Sequence, residues 1–128
     1  MIHDMGIVRT TLSISALDAP GHPHELRDVM VDTRSVYNWL PALLLAELGV
    51  VPIRTDRFET ADGRVLEREV GFAFIYAAGR STATVVVFAQ DGDMSLLSAI
   101  GLEGMNLRVD LVRRELIPAG PVPVAVAA

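Results

Sequence analysis

One dipeptide does most to restrict the fold of this chain. In the segment RTDRFETADGRVLEREVGFAFIY, residues 54–76, Asp62-Gly63 lies between two strand-like arms. Asp-Gly accepts the positive φ values that a tight reversal requires, so the segment reads as a long antiparallel hairpin. In the returning arm Val70, Phe72, Phe74 and Tyr76 alternate with Gly71, Ala73 and Ile75. The outer half is dense in charge (Arg57, Glu59, Arg64, Glu67, Arg68, Glu69), which sends the hairpin tip into solvent.

Strand signals continue on both sides. Gly6 to Ala16 alternates loosely and carries threonines, DAPGHPHE (residues 18–25) is turn chemistry, and Leu26 to Val31 forms a strand that delivers Asp32 at its end. Thr84 to Phe88 is apolar on both faces, which places it centrally in a sheet. Leu107, Val109 and Leu111 alternate with Arg108 and Asp110 as a half-buried strand; Arg113-Arg114 turns the chain into a last strand, Glu115 to Ile117. Two short helices interrupt this pattern. Residues 41–48 open on Pro41 and stop at Gly49, and their almost wholly apolar surface predicts burial. Met94 to Leu102 is the second, with Gly104 as its expected stop. Residues 118–128, PAGPVPVAVAA, are too rich in proline for a central strand and form an edge or a tail. The reading is one all-β domain over residues 1–128 with two short helices.

Composition narrows the function. The chain has 128 residues, 51% of them hydrophobic but only 5% aromatic, and its mean hydropathy is +0.39. Small aliphatic residues in that excess point to a subunit interface. A net charge of −5 with no basic run argues against nucleic acid. There is no cysteine, which excludes disulfides and thiolate metal sites. His3, His22 and His24 lack metal-ligand spacing, and Asp91 and Asp93 lack the glutamate of a calcium loop, so they read as solvated loop residues. Gly101 to Gly104 has no strand before it and is not a phosphate loop. Ser35 has no histidine partner nearby in sequence, which disfavours a serine hydrolase. The acidic N-terminus is unlike a signal peptide, and the longest apolar stretch, Trp39 to Ala46, is far short of the ~20 residues that span a bilayer. A cytoplasmic protein without cofactor, metal or membrane partner is the expectation.

Several of these motifs occur in one order: Val31-Asp32-Thr33 at a strand end, a Leu40-Pro41 to Leu48-Gly49 helix, Ala61-Asp62-Gly63, Leu96-Leu97, and Leu107-Arg108-Val109-Asp110. The order resembles that of the retropepsin-like (clan AA) single-domain aspartic proteases of bacteria, over roughly residues 6 to 118. The resemblance implies a closed β-barrel that is one half of a symmetric homodimer, with Asp32 of each chain as the catalytic residue. Two carboxylates about 3 Å apart share a proton, one serving as base on water and the other as acid to the substrate carbonyl. It further implies that Thr33 bonds across the dimer axis, that the hairpin around Ala61, Asp62 and Gly63 is a flap over a peptide, and that the terminal strands join the interface. No metal is implied.

Two positions depart from the family pattern. Arg34 stands where the family has the glycine of Asp-Thr-Gly, and a guanidinium there favours ionised carboxylates; a salt bridge to Asp32 or its symmetry mate is expected. Ser98 follows Leu96-Leu97 where the family has glycine and where the helix packs on the active-site loop of Thr33, Arg34 and Ser35. Two functions follow as alternatives. One is an aspartic endopeptidase homologue; the other is a catalytically degenerate dimeric module that binds peptide or is purely structural.

Overall fold

The computed structural model describes residues 7–125. Gly6, with which the first strand was expected to begin, His3, and residues 126–128 of the tail lie outside the described residues. The elements run β1 (Val8–Ser15), β2 (His24–Asp32), β3 (Asn38–Pro41), α1 (Ala42–Glu47), β4 (Arg54–Glu59), β5 (Val65–Ala77), β6 (Arg80–Ala89), β7 (Leu96–Ser98), α2 (Ala99–Met105), β8 (Leu107–Asp110) and β9 (Glu115–Pro118).

Seven strands form one sheet in the order β1-β2-β7-β3-β6-β5-β4, and β1 also pairs with β5 through Ser13–Ser15, so the run of pairings returns to its first strand. β8 and β9 pair with each other as a separate antiparallel ribbon. The hairpin is as the Asp-Gly signal predicts: β4 and β5 pair from Arg54↔Val70 to Glu59↔Val65, and Gly63 takes φ +85° in the turn. β6 lies between β3 and β5 and is buried from Thr84 to Ala89. In β5 the inward face carries Gly71, Ala73, Ile75 and Ala77, while Phe72, Phe74 and Tyr76 lie on the outer one. A Cβ on Gly71 would sit 2.8 Å from the Val51 carbonyl oxygen, so backbone passes where a side chain would otherwise be.

The structure corrects the helices. Met94 to Leu97 is not helical: Leu96–Ser98 is a strand, paired parallel with β2 and antiparallel with β3, and α2 begins at Ala99. Gly104 lies inside α2 against Thr82, and the helix instead ends on Asn106, which adopts a left-handed φ of 53°. Asparagine tolerates that conformation because its short polar side chain finds local partners, and here its amide donates to the Gly120 carbonyl at 2.8 Å. Leu40 and Pro41 belong to β3, and the first helix begins at Ala42. Nor is α1 buried all round: Leu45 is fully buried while Leu43 is 77% exposed. Residues two apart on a helix point about 200° apart, so a six-residue helix offers the core one stripe, and Leu45 occupies it. Leu111 lies past the end of β8 in an exposed turn. Residues 119–125 of the tail form no strand.

Candidate functional site

The last residue of β2 is Asp32, which pairs in register with Ser98 at the end of β7. The strand end presents its carboxylate to the loop that follows. Asp32 Oδ1 accepts from the backbone N–H of Arg34 at 3.0 Å and from Arg34 Nε at 3.2 Å, while Ser35 Oγ donates to Oδ2 at 3.3 Å. The Asp32 side chain is 17% exposed, and that of Arg34 is 90% exposed. Partial burial alone pushes the Asp32 carboxyl up, but the Arg34 N–H, its guanidinium and the Ser35 hydroxyl outweigh that and hold it below the ordinary aspartate value. The expected salt bridge is therefore made within one chain.

Ser98 is fully buried and caps α2, accepting from the Gly101 N–H at 3.3 Å. Its own N–H and Oγ both donate to Asn38 Oδ1, at 3.0 and 2.9 Å. Asn38 Nδ2 donates to the Val85 carbonyl at 2.9 Å and to Thr84 Oγ1 at 3.3 Å. One buried asparagine thus joins β3, β6, β7 and the cap of α2. The Ala99 N–H, donating to the Ser35 carbonyl at 3.2 Å, connects this network to the Asp32 loop. Gly101 is required by the same closeness, since a Cβ there would fall 2.5 Å from Asn38 Oδ1. Leu97, beside Ser98, is fully buried in the main core. Asn38 is the residue that sequence reasoning misses, because a single asparagine before an apolar run gives no local sign of burial.

An open cleft of about 1000 Å³ runs between the Asp32 loop and the hairpin. Arg34 and Ser35 line one side, and Thr60, Ala61 and Arg64 of the hairpin line the other. The floor is aromatic: Phe58 packs edge-on against Tyr37 and Trp39, with ring centroids 5.8 and 5.0 Å apart. Asp62 and Gly63 stand at the exposed tip, where Asp62 receives the Thr60 hydroxyl and pairs with Arg64 at 3.2 Å. Thr33 points elsewhere. It lines a second groove of about 420 Å³ with Val8, Val31, Leu102 and Leu107, next to the β8–β9 ribbon.

Asp93 corrects a further expectation. It is not a solvated loop residue but the partner of Arg68, with Nε–Oδ2 at 2.7 Å and Nη2–Oδ1 at 3.0 Å, and it also accepts from the Gln90 N–H. This bidentate pair, 18% and 11% exposed, clasps the outer part of β5 to the loop that leads into β7. Hydrogen bonding to Arg68 holds the Asp93 carboxyl below its ordinary value. A carboxylate lowered on folding adds stability that is present above its unfolded value of about 3.9 and lost as pH falls through the folded value. Asp93→Asn is therefore expected to cost about 2 kcal/mol at pH 7 and almost nothing in strong acid, measured by urea unfolding across pH.

Among the described residues, no three His, Asp or Glu side chains converge as metal ligands, and no helix is long and apolar enough to cross a membrane. A scan against protein-family models finds no match, and no curated protein matches the sequence. Solved structures do match. One is the solution structure of the simian foamy virus (mac) protease, 18% identical over 74% of this chain and 91% of that one, with a TM-score of 0.51. The fold is retropepsin-like. On this retropepsin-like frame Asp32, Arg34 and Ser35 are joined by hydrogen bonds, Ser98 pairs with Asp32 in register but is buried, Ala61 lines the cleft together with Arg34 and Ser35, and Thr33 lines the other groove.

Proposed function

We propose that two copies of this chain associate about a twofold axis, bring their Asp32 carboxylates together, and cleave extended peptides held under the two hairpins. The observation that carries this reading is the setting of Asp32: a strand-end carboxylate fixed by a backbone N–H and a hydroxyl, whose loop partners Arg34 and Ser35 line a cleft with the hairpin as its far wall. The apolar groove beside Thr33 and the exposed Leu111 and Val112 supply surface for the second copy.

In this mechanism one carboxylate takes a proton from water, whose oxygen bonds to the peptide carbonyl carbon. The protonated carboxyl of the other chain gives its proton to the carbonyl oxygen. Collapse of the tetrahedral intermediate breaks the C–N bond, with a proton passing to the departing nitrogen. Closure of the hairpins keeps bulk water from the intermediate.

The Arg34–Asp32 ion pair favours a second reading, because it stabilises the ionised carboxylate and works against the shared proton. In that reading the dimer binds peptide without turnover. Sedimentation of the purified chain and cleavage of denatured protein between pH 3 and 7 separate the readings, with Asp32→Asn as the control. A dimer whose cleavage disappears in Asp32→Asn supports hydrolysis, a silent dimer supports binding, and a monomer at all concentrations removes both.

A further inference from the structure

The charges around the cleft are mostly closed on one another. Asp56 receives Arg54 Nε at 3.0 Å on both oxygens, Asp93 is held by Arg68, and Arg64 turns back onto Asp62. Arg57 and Glu59, one of each sign on β4, make no ion pair among the described residues and offset each other. Arg34 gives only Nε to Asp32, at 3.2 Å, and its terminal Nη1 and Nη2 have no hydrogen-bond partner among the described residues. Arg64 likewise gives only Nε, to Asp62 at the hairpin tip, and leaves its terminal nitrogens free among the described residues, so what sets Arg34 apart is its place beside Asp32. The Arg34 side chain is 90% exposed at the cleft wall, next to the aromatic floor of Tyr37, Trp39 and Phe58.

Resting on the peptide-cleft reading, we propose that Arg34 selects peptides that carry an acidic side chain close to the bond held over Asp32, with a large apolar residue seated on the aromatic floor. A guanidinium presents a planar fork of donors, and a carboxylate that meets the two free nitrogens makes two parallel charge-assisted bonds. The present contact to Asp32 is a single bond through Nε. The incoming carboxylate therefore offers Arg34 the better geometry and draws the guanidinium away from Asp32. Asp32 keeps its bonds from the Arg34 N–H and from Ser35 but loses the positive charge beside it. In this way an acidic substrate removes the obstacle that the arginine poses to a shared proton, and a neutral peptide does not.

The test uses the full chain and eight-residue peptides with a central phenylalanine, a reduced and uncleavable bond beside it, and a single glutamate walked through the other positions. Each is paired with its glutamine counterpart, and calorimetry at about pH 6 gives the dissociation constants. At one position glutamate is expected to bind about tenfold more tightly than glutamine, the scale of one charge-assisted hydrogen bond. That ratio falls to about one in Arg34→Gly and is partly kept in Arg34→Lys. The ¹³C signal of the Asp32 carboxyl, followed through a pH titration, moves its midpoint upward only with the glutamate peptide. A ratio near one at every position, or a ratio that survives Arg34→Gly, overturns the inference. Cleavage of ordinary peptides without glutamate preference overturns it while leaving hydrolysis in place; failure of every peptide to bind removes the peptide-cleft reading as well.

Discussion

Asn38→Ala is expected to destabilise the folded chain by about 3 kcal/mol and to lower its melting temperature by roughly 10 °C. Asn38 is fully buried and uses both ends of its amide. Truncation to alanine leaves the Ser98 N–H, the Ser98 hydroxyl and the Val85 carbonyl in the interior with no replacement partner, and it opens a void beside Gly101. Each unsatisfied buried group costs on the order of 1–3 kcal/mol, which sets the size of the effect. Thr84→Val is the informative contrast. Thr84 supplies only the second and longer acceptor for the same amide, at 3.3 Å, so its loss should cost under about 1 kcal/mol. Thermal and urea unfolding of the two variants distinguish a network centred on Asn38 from a general sensitivity of β6. Because Ala99 and Ser35 are bonded directly, Asn38→Ala should also loosen the Asp32 loop, visible as faster amide exchange at Ser35 and Ala99.

The range of pairing explains which parts of this fold could be read from the sequence. The hairpin of β4 and β5 was legible because its information is local: Asp62-Gly63 permits the turn, and each arm carries its own alternation. β2 and β6 were legible because their apolar runs are long enough to show a pattern. β3 and β7 were not. They have four and three residues, too few for a period, and each takes its parallel partner from a distant segment, Asn38–Pro41 with Val86–Ala89 and Leu96–Ser98 with Met30–Asp32. Leucine, proline and serine in those stretches are equally compatible with a helix start, so local propensity pointed the wrong way. At the candidate site, Asp32, Arg34 and Ser35 could be singled out because they fall within four successive positions and are chemically unlike the apolar residues around them. The Arg68–Asp93 clasp spans 25 positions and has no spacing that marks it. Ser98 shows how a sequence departure gains a physical meaning. Its hydroxyl completes the helix cap and bonds to Asn38, so the residue that departs from the resembled pattern is a fully satisfied polar group.

On the hydrolytic reading proposed above, Arg34→Gly is expected to raise cleavage of neutral peptides several-fold at pH 6 and to extend activity toward higher pH. The sign follows from which protonation state the arginine favours. In the native chain burial raises the Asp32 carboxyl, yet the Arg34 N–H, the guanidinium and Ser35 together leave it lowered, which on the hydrolytic reading works against the protonated form that would serve as the acid. Glycine at this position removes the guanidinium and leaves the backbone N–H, which belongs to residue 34 whatever its side chain, together with the bond from Ser35. The carboxyl then rises, and the limb of the pH profile on which the acid is lost moves up with it. The exposure of the Arg34 side chain weakens its hold on the carboxyl through solvent screening, which keeps the expected change modest. Glycine also removes the side chain from the cleft wall, which widens access for substrate without altering the aromatic floor. A pH profile of kcat/KM for the two proteins reads both effects: an upward shift of the alkaline limb reports the lost charge, whereas a uniform rise at every pH reports the widened cleft alone. An unshifted profile with unchanged rates would show that the Arg34–Asp32 pair has no hold on the chemistry.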